Sequence, residues 1–101
     1  MKVEFTDAQV AAMQEALDKW GISAQAGQTV EECAELIVAL QKQFNRSPSP
    51  EMPSPETIEG ILDEMADVEM MLAQMRLALG IDDDTFRKRI DEKFEKLELL
   101  L

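Results

Sequence analysis

Two pairs of acidic residues in this chain combine a helical spacing with strongly apolar surroundings. Glu32 and Glu35 lie within VEECAELIVAL, and Glu64 and Asp67 lie within ILDEMADVEMML. Residues three positions apart project from the same side of a helix, so each pair would present two carboxylates together. Oxygen ligands of this kind favour Mg²⁺ or Mn²⁺, and a metal held by carboxylates can bind phosphate oxygens and activate water.

The spacing of these pairs is not by itself unusual in so acidic a chain. The sequence has 21 acidic residues, and seven pairs of them stand three positions apart: 4/7, 15/18, 32/35, 56/59, 64/67, 92/95 and 95/98. The 92/95/98 run lies among lysines and is typical of an exposed helix with charge pairs. If the two pairs in apolar surroundings face each other, their repulsion requires protonation or bound divalent cations. Spacing alone thus leaves two interpretations open, a metal site and a salt-bridged helical bundle without one.

The helix that carries Glu35 also places cations on the same side as its carboxylates. Beyond Glu35 this face reaches Lys42 and Arg46, roughly 10 to 20 Å further along the axis. Lys42 is therefore a candidate contact for an anionic substrate. On the other helix, Gly60 precedes Glu64 on the shared face, where a glycine lowers helix stability by roughly 1 kcal/mol and allows close approach of another group.

The composition excludes several kinds of site and partner. The chain has no histidine, which rules out His-ligated zinc, His-dependent nucleophiles and the Glu-x-x-His di-iron pattern. Its net charge of −11 argues against nucleic acid or an anionic membrane as a partner. Cys33 is the only cysteine. We expect it to be a small core residue rather than a reactive thiol, in a reducing compartment.

The first residues, MKVEFTDAQV, contain no signal-peptide core, and no apolar run approaches membrane length. A cytoplasmic protein is expected. Apolar residues make up 46% of the chain and aromatic residues only 5%, which favours an aliphatic core between packed helices. Periodicity and helix-boundary residues predict a single all-α domain over residues 1–101, a bundle-like arrangement of four helices.

The boundaries of the first two helices follow from capping residues. Thr6 is suited to be the N-cap of the first helix, and Gly21 ends it. The second helix is predicted to begin near Thr29, because Thr29 and Glu32 fit a capping box, or earlier, near Gln25. Apolar residues then recur at helical spacing as far as position 44.

A proline-rich segment, NRSPSPEMPSP at residues 45–55, separates the second and third helices. Four prolines in eight residues forbid a helix and favour an extended crossover, although a ligand for a proline-binding domain is an alternative. Ser54 and Pro55 suit the start of the third helix, which is predicted to end at Gly80. Its apolar residues form an unbroken stripe: Ile61, Met65, Val68, Leu72, Met75 and Leu79.

The last helix is predicted to follow the acidic cap at residues 82–84 and to run to the C-terminus. Its apolar residues are Phe86, Ile90, Phe94 and Leu97. Five of the ten basic residues lie between positions 87 and 96. They could reverse the local field for an anionic substrate, or they could simply complement the helix dipole or an acidic neighbour.

The acidic residues singled out above also carry a resemblance to a known family. The chain has EECAE at 31–35, then 28 residues, then EMAD at 64–67. This pattern resembles the Glu-Glu-x-x-Glu and Glu-x-x-Asp motifs of the MazG-type all-α nucleoside triphosphate pyrophosphohydrolases. The likeness extends to KWGISAQAGQTVEECAELIVALQK and EMADVEMMLAQM and covers roughly residues 19–96.

The resemblance implies an all-α fold completed by dimerisation, as a homodimer or a homotetramer. It implies Mg²⁺-dependent hydrolysis of a nucleoside triphosphate to the monophosphate and pyrophosphate. Mn²⁺ is an alternative cofactor, and nucleotide-pool clean-up is a candidate role. Carried over by position, the metal ligands are Glu32, Glu35, Glu64 and Asp67. Glu32 or Glu35 would also be catalytic by orienting the attacking water. Gln25 and Trp20 would lie near the nucleobase or at the subunit contact.

The family pattern on the last helix is only partly present. A lysine followed by an arginine would bind the phosphates there, and Lys93 fits the lysine. No arginine follows it, so Arg89, one turn earlier, is the candidate substitute. No motif that reads a base or a sugar is legible in the sequence.

A second interpretation belongs to another class of protein. The chain has seven methionines, and Met-rich surfaces suit adaptable contacts with partners. An acidic helical module that dimerises or binds a partner, without catalysis and with solvated acidic pairs, would account for the same composition.

Overall fold

Every regular element is a helix in a computed structural model that describes residues 4–44 and 52–101. The helices are α1 (Asp7–Trp20), α2 (Ile22–Phe44), α3 (Pro55–Ala78) and α4 (Asp83–Leu100). The prediction of an all-α fold with four helices is confirmed. Most of the crossover predicted at 45–55 lies outside the described residues. In its described part, residues 52–54 are non-helical. None of the described helices combines the length and apolarity needed to cross a membrane.

Capping residues fix three of the helix starts, as the sequence predicts. Thr6 forms a capping box with Gln9: the backbone N–H of Gln9 donates to the Thr6 hydroxyl at 3.1 Å, and the backbone N–H of Thr6 donates to the Gln9 side chain at 2.8 Å. Ser54 and Asp82 accept from backbone N–H groups at the starts of α3 and α4. Gly21 separates α1 from α2 with φ 88° and ψ 157°, a conformation that only glycine adopts readily.

The predicted capping box at Thr29 and Glu32 is wrong. Helix α2 begins at Ile22, so Thr29 lies two turns inside it. Its hydroxyl donates to the backbone carbonyl of Gln25 at 2.8 Å, which is the usual bond of a threonine in a helix interior. The glycine break at position 21 sets the start of α2, and the cap-like sequence further along has no helix end to stabilise.

Thr29→Ala is expected to leave the free energy of unfolding unchanged, or to raise it by up to about 0.5 kcal/mol, because alanine has the higher helix propensity. An N-cap threonine would behave oppositely and lose roughly 1 kcal/mol on the same change. Urea unfolding followed by circular dichroism measures the difference. Thr6→Ala, at a true N-cap, is the matched control and should destabilise the protein.

Helices α2 and α3 pack against each other along much of their length, and α1 packs across both. The buried side chains lie mainly where α1 meets α3: Met13, Leu17, Met71, Ala73 and Gln74. Gln74 satisfies its side-chain amide by donating to the Met13 backbone carbonyl at 3.2 Å. These residues and this hydrogen bond join α1 to α3.

The face of α3 that packs inward coincides only in part with its apolar stripe. Met71 and Gln74 are buried, and Glu64 and Asp67 lie on the same side at helical spacing. The stripe is instead half exposed, with Met65 51% exposed and three of its members only partly covered. Within a single chain, therefore, the acidic side of α3 faces its neighbours.

Helix α4 stands apart from the other three. Within the described residues it packs along none of them. A cation–π contact links its first turn to α3, with the Arg76 guanidinium 4.3 Å from the centre of the Phe86 ring. The apolar side of α4 is consequently open, and Phe94 is 55% exposed.

Candidate metal centre

The packing of α2 against α3 brings three of the predicted metal ligands together. Carboxylate oxygens of Glu32, Glu35 and Glu64 lie within 4.8 Å of one another. Asp67 adjoins Glu32, close enough to act on its ionisation. The first two residues come from adjacent turns of α2 and the other two from adjacent turns of α3, so the i, i+3 spacing of each pair produces the cluster.

Two oxygens in this cluster are buried without a donor. One oxygen of Glu32 accepts a hydrogen bond from the Gln28 side-chain amide at 2.8 Å. Its other oxygen, and one oxygen of Glu64, are shielded from solvent and have no hydrogen-bond partner. Buried carboxylate oxygens are normally paired, because desolvation without a partner is costly. An all-oxygen cluster with such vacant acceptors fits the ligand preference of Mg²⁺ or Mn²⁺.

Gln28 is a residue that the sequence interpretation missed. It stands one turn before Glu32, a spacing at which a glutamine amide reaches a carboxylate. It holds one oxygen of Glu32 and leaves the other as a buried acceptor without a partner. Partners of this kind commonly tune metal ligands.

Crowding of like charges raises the pKa of both α2 carboxyls. At Glu35, a hydrogen bond with Glu64 and the negative charge of Glu64 raise the pKa, and burial adds to the effect. At Glu32, the hydrogen bond from Gln28 lowers the pKa, but burial and the charges of Glu35 and Asp67 outweigh it, and the pKa is raised. Metal-free protein at neutral pH therefore contains carboxylates that repel one another.

The metal-free protein is expected to become less stable as the pH rises from 4.5, the ordinary pKa of glutamate, through the raised pKa values of Glu32 and Glu35. In that window the folded state binds more protons than the unfolded state, so stability falls with pH and levels off above it. Thermal melts in a chelator between pH 4.5 and 7 measure this slope. Glu35→Gln should flatten it, and a wild-type slope of the opposite sign would contradict the crowding.

An open cleft of about 660 Å³ lies on one side of the cluster. Glu35 and Glu64 form part of its wall, and Lys42 and Gly60 lie further along it. The structure thus places Lys42 in the same cleft as two carboxylates, as the stripe on α2 predicts. A methyl group added at Gly60 would meet nothing within 4 Å, so the glycine borders open space there rather than a close backbone contact.

A second cleft, of about 800 Å³, lies between α1, α2 and α3. It contains Trp20 and Gln25, the two residues proposed to lie near a nucleobase, and its lining is otherwise apolar with several glutamine amides. Gln28 belongs to this cleft and donates to Glu32, so one residue of the cleft wall contacts the cluster. Both clefts have volumes usual for small-molecule sites.

The predicted substrate contacts on α4 are not brought to the cluster within one chain. Arg89 and Lys93 lie on a helix that does not pack against α2 or α3. Arg89 instead forms an exposed ion pair with Glu92 at 3.3 Å. Arg46 lies outside the described residues. Cys33, the free cysteine, is half-buried beside the cluster on α2.

Comparison of the chain with models of protein families, with curated proteins and with solved structures gives no match. The resemblance to the MazG-type enzymes thus depends on the acidic motifs and their flanking residues. The geometry of the cluster is a separate line of argument, because it depends on how α2 and α3 pack.

Proposed function

We propose that the protein is a Mg²⁺-dependent nucleoside triphosphate pyrophosphohydrolase, converting a nucleoside or deoxynucleoside triphosphate and water to the monophosphate and pyrophosphate. One observation carries the proposal: carboxylates of Glu32, Glu35 and Glu64 converge, and buried oxygens of two of them lack any donor. Repelling carboxylates held in this way favour a divalent cation between them. The MazG-type motif supplies the reaction to which such a centre would belong.

The metal-binding role falls to Glu32, Glu35, Glu64 and Asp67. A bound Mg²⁺ or Mn²⁺ would supply charge neutralisation at the phosphates and a lowered pKa for an attacking water. The chain itself fixes the ligand positions, because two rigid helices and the Gln28 hydrogen bond hold the carboxylates. Rigid placement of this kind lowers the cost of reaching the reactive geometry.

A carboxylate of α2 would orient the water that attacks the α-phosphorus. Glu35 is the better placed, because it lines the cleft that also contains Lys42 and lies beside Glu64. Glu32 is the alternative, with one oxygen already engaged by Gln28. The bond between the α-phosphorus and the bridging oxygen breaks, and that oxygen leaves with pyrophosphate.

The two clefts offer places for the two ends of a nucleotide. Lys42 provides a positive charge for phosphate oxygens in the cleft with Glu35 and Glu64. The other cleft provides the Trp20 ring, which is 58% exposed, and amides such as Gln25 for a nucleobase. The amides can donate or accept, so this lining is compatible with more than one base.

The test is a panel of nucleoside and deoxynucleoside triphosphates assayed for pyrophosphate and monophosphate, with Mg²⁺, with Mn²⁺ and with chelator. We expect equal amounts of the two products from at least one substrate, and none without a divalent cation. Release of inorganic phosphate instead of pyrophosphate would contradict the proposal, as would a fully inactive panel.

The exposed apolar surface favours a second candidate, an acidic module that assembles with itself or with another protein and has no catalytic activity. Large apolar side chains of α2, α3 and α4 are open to solvent. Exposed apolar patches of this extent mark association surfaces. The response of stability to Mg²⁺ distinguishes the two candidates, since the module needs no metal.

A further inference from the structure

The cleft between α1, α2 and α3 is suited to a neutral, flat ligand. Of the described residues that line it, none carries a charged side chain, although charged residues make up 31% of the sequence. The Trp20 ring forms part of the wall, and the Lys19 ammonium lies over that ring at 5.1 Å from its centre. The opposite face of the ring remains for stacking. A phosphate group would find no cation in this lining, whereas a heterocycle finds a ring and several amides.

Two glutamine amides in the cleft wall are fixed with their oxygens as the acceptors left for a ligand. Gln28 donates from its amide nitrogen to Glu32 at 2.8 Å. Gln74 donates from its amide nitrogen to the Met13 backbone carbonyl at 3.2 Å. Turning either amide over would place two acceptor oxygens against each other. The bonds to the protein therefore decide which end of each amide is available.

A third amide of the cleft has the opposite polarity. The side-chain oxygen of Gln9 accepts from the backbone N–H of Thr6 at 2.8 Å, so its nitrogen is the end left to donate. The fixed amides thus offer two acceptors and one donor. Gln74 is only 3% exposed, and an oxygen facing another oxygen is costly where water cannot separate them. Beside Gln28 and Gln74, a ligand is therefore favoured by N–H groups and penalised by carbonyl oxygens.

We propose that this cleft selects a nucleobase with an exocyclic amino group, cytosine or adenine, and that Gln28 reads that group. An amino group supplies N–H donors to the fixed acceptors, whereas uracil, thymine and hypoxanthine carry a carbonyl oxygen at the same ring position. Gln28 discriminates because its amide cannot turn over without losing the bond to Glu32. The identity of the ligand as the base of a hydrolysed triphosphate rests on the proposed function, but base binding is measurable without catalysis.

Trp20 provides a direct readout of binding, because it is the only tryptophan in the chain and lines the cleft. Deoxynucleosides are titrated in the presence of a chelator while tryptophan fluorescence is recorded, so that neither phosphate nor metal contributes. Deoxycytidine is compared with deoxyuridine, and deoxyadenosine with deoxyinosine. In each pair we expect the amino-bearing member to quench the fluorescence and to bind about tenfold more tightly, since it gains a hydrogen bond and avoids an oxygen–oxygen contact.

Equal affinities within either pair would overturn the proposal. A preference for deoxyuridine or deoxyinosine would also overturn it, as would unchanged fluorescence with all four compounds at millimolar concentration. The result for the enzyme is separate. Selective binding without pyrophosphate release would uphold the selectivity of the cleft and reject the enzyme, whereas equal rates of pyrophosphate release from cytosine and uracil triphosphates would uphold the enzyme and overturn the selectivity.

Gln28→Met tests the reading residue itself. Methionine keeps the length of the side chain without its amide, and helicity should be retained because Gln28 is exposed. We expect the affinity for deoxycytidine to fall roughly fivefold and that for deoxyuridine to stay the same or rise. Gln14→Met is the matched control and should keep the preference, because Gln14 makes the same kind of bond, to Asp18 at 2.9 Å, but does not line the cleft. An equal loss for both nucleosides in Gln28→Met would reduce Gln28 to a structural role and overturn the proposal.

Discussion

Glu35→Gln is expected to reduce pyrophosphate release by at least about a hundredfold. Removing a residue that orients a metal ligand typically lowers activity by about 10- to 100-fold, and removing the ligand itself should lower it at least as much. The substitution keeps the size of the side chain and removes its charge. In the metal-free protein at neutral pH it should also raise the melting temperature, since the repulsion between Glu35 and Glu64 disappears. Loss of activity with a gain in stability separates a functional carboxylate from a structural one.

Glu31→Gln is the matched control for this experiment. Glu31 is on the same helix and undergoes the same change of charge, but it is exposed and projects about 100° away from Glu32. It should keep wild-type activity within about twofold, as distant surface substitutions do. Steady-state assays and circular dichroism on both variants complete the comparison. Full activity in Glu35→Gln would refute the site.

The sequence predicted the helices through residues whose conformational needs are local. Thr6, Ser54 and Asp82 supply acceptors for N–H groups at helix starts, and Gly21 adopts a backbone conformation that other residues avoid. The prediction of a helix start at Thr29 was wrong because the threonine–glutamate pattern of a capping box can also occur inside a helix. Only the continuity of helical residues from Ile22 onward shows that no start is needed there.

The carboxylates could be predicted because their neighbours are apolar, which distinguishes them from the solvated pairs at the same spacing. Gln28 could not be predicted in this way, because a neutral amide side chain adds neither a charge nor an apolar residue to the pattern. The position of α4 was equally out of reach. It depends on the turn after α3, which no pattern within α4 encodes.

The orientation of α3 connects these observations. A helix usually turns its apolar stripe inward and its acidic residues outward. Here Glu64 and Asp67 face α2, and Met65 and Leu72 remain half exposed. Crowding carboxylates between helices while part of the stripe stays exposed is unfavourable for the metal-free chain. A divalent cation between the carboxylates, as proposed above, would remove the repulsive part of this cost.

Saturating Mg²⁺ is accordingly expected to raise the melting temperature by roughly 10 °C or more, since a ligand at a hundred times its Kd stabilises a folded domain by about 2.7 kcal/mol. Glu64→Gln should abolish most of the shift, because it removes one of the converging ligands. Glu95→Gln, an exposed acid on α4, should keep it, and NaCl at the same ionic strength should not reproduce it. A catalytic metal centre requires this saturable response, whereas a solvated acidic module would show only the weak effect of general screening. Mn²⁺ in place of Mg²⁺ should rank the variants in the same order of melting-temperature shift. If millimolar Mg²⁺ does not raise the melting temperature, the non-catalytic module is the correct interpretation.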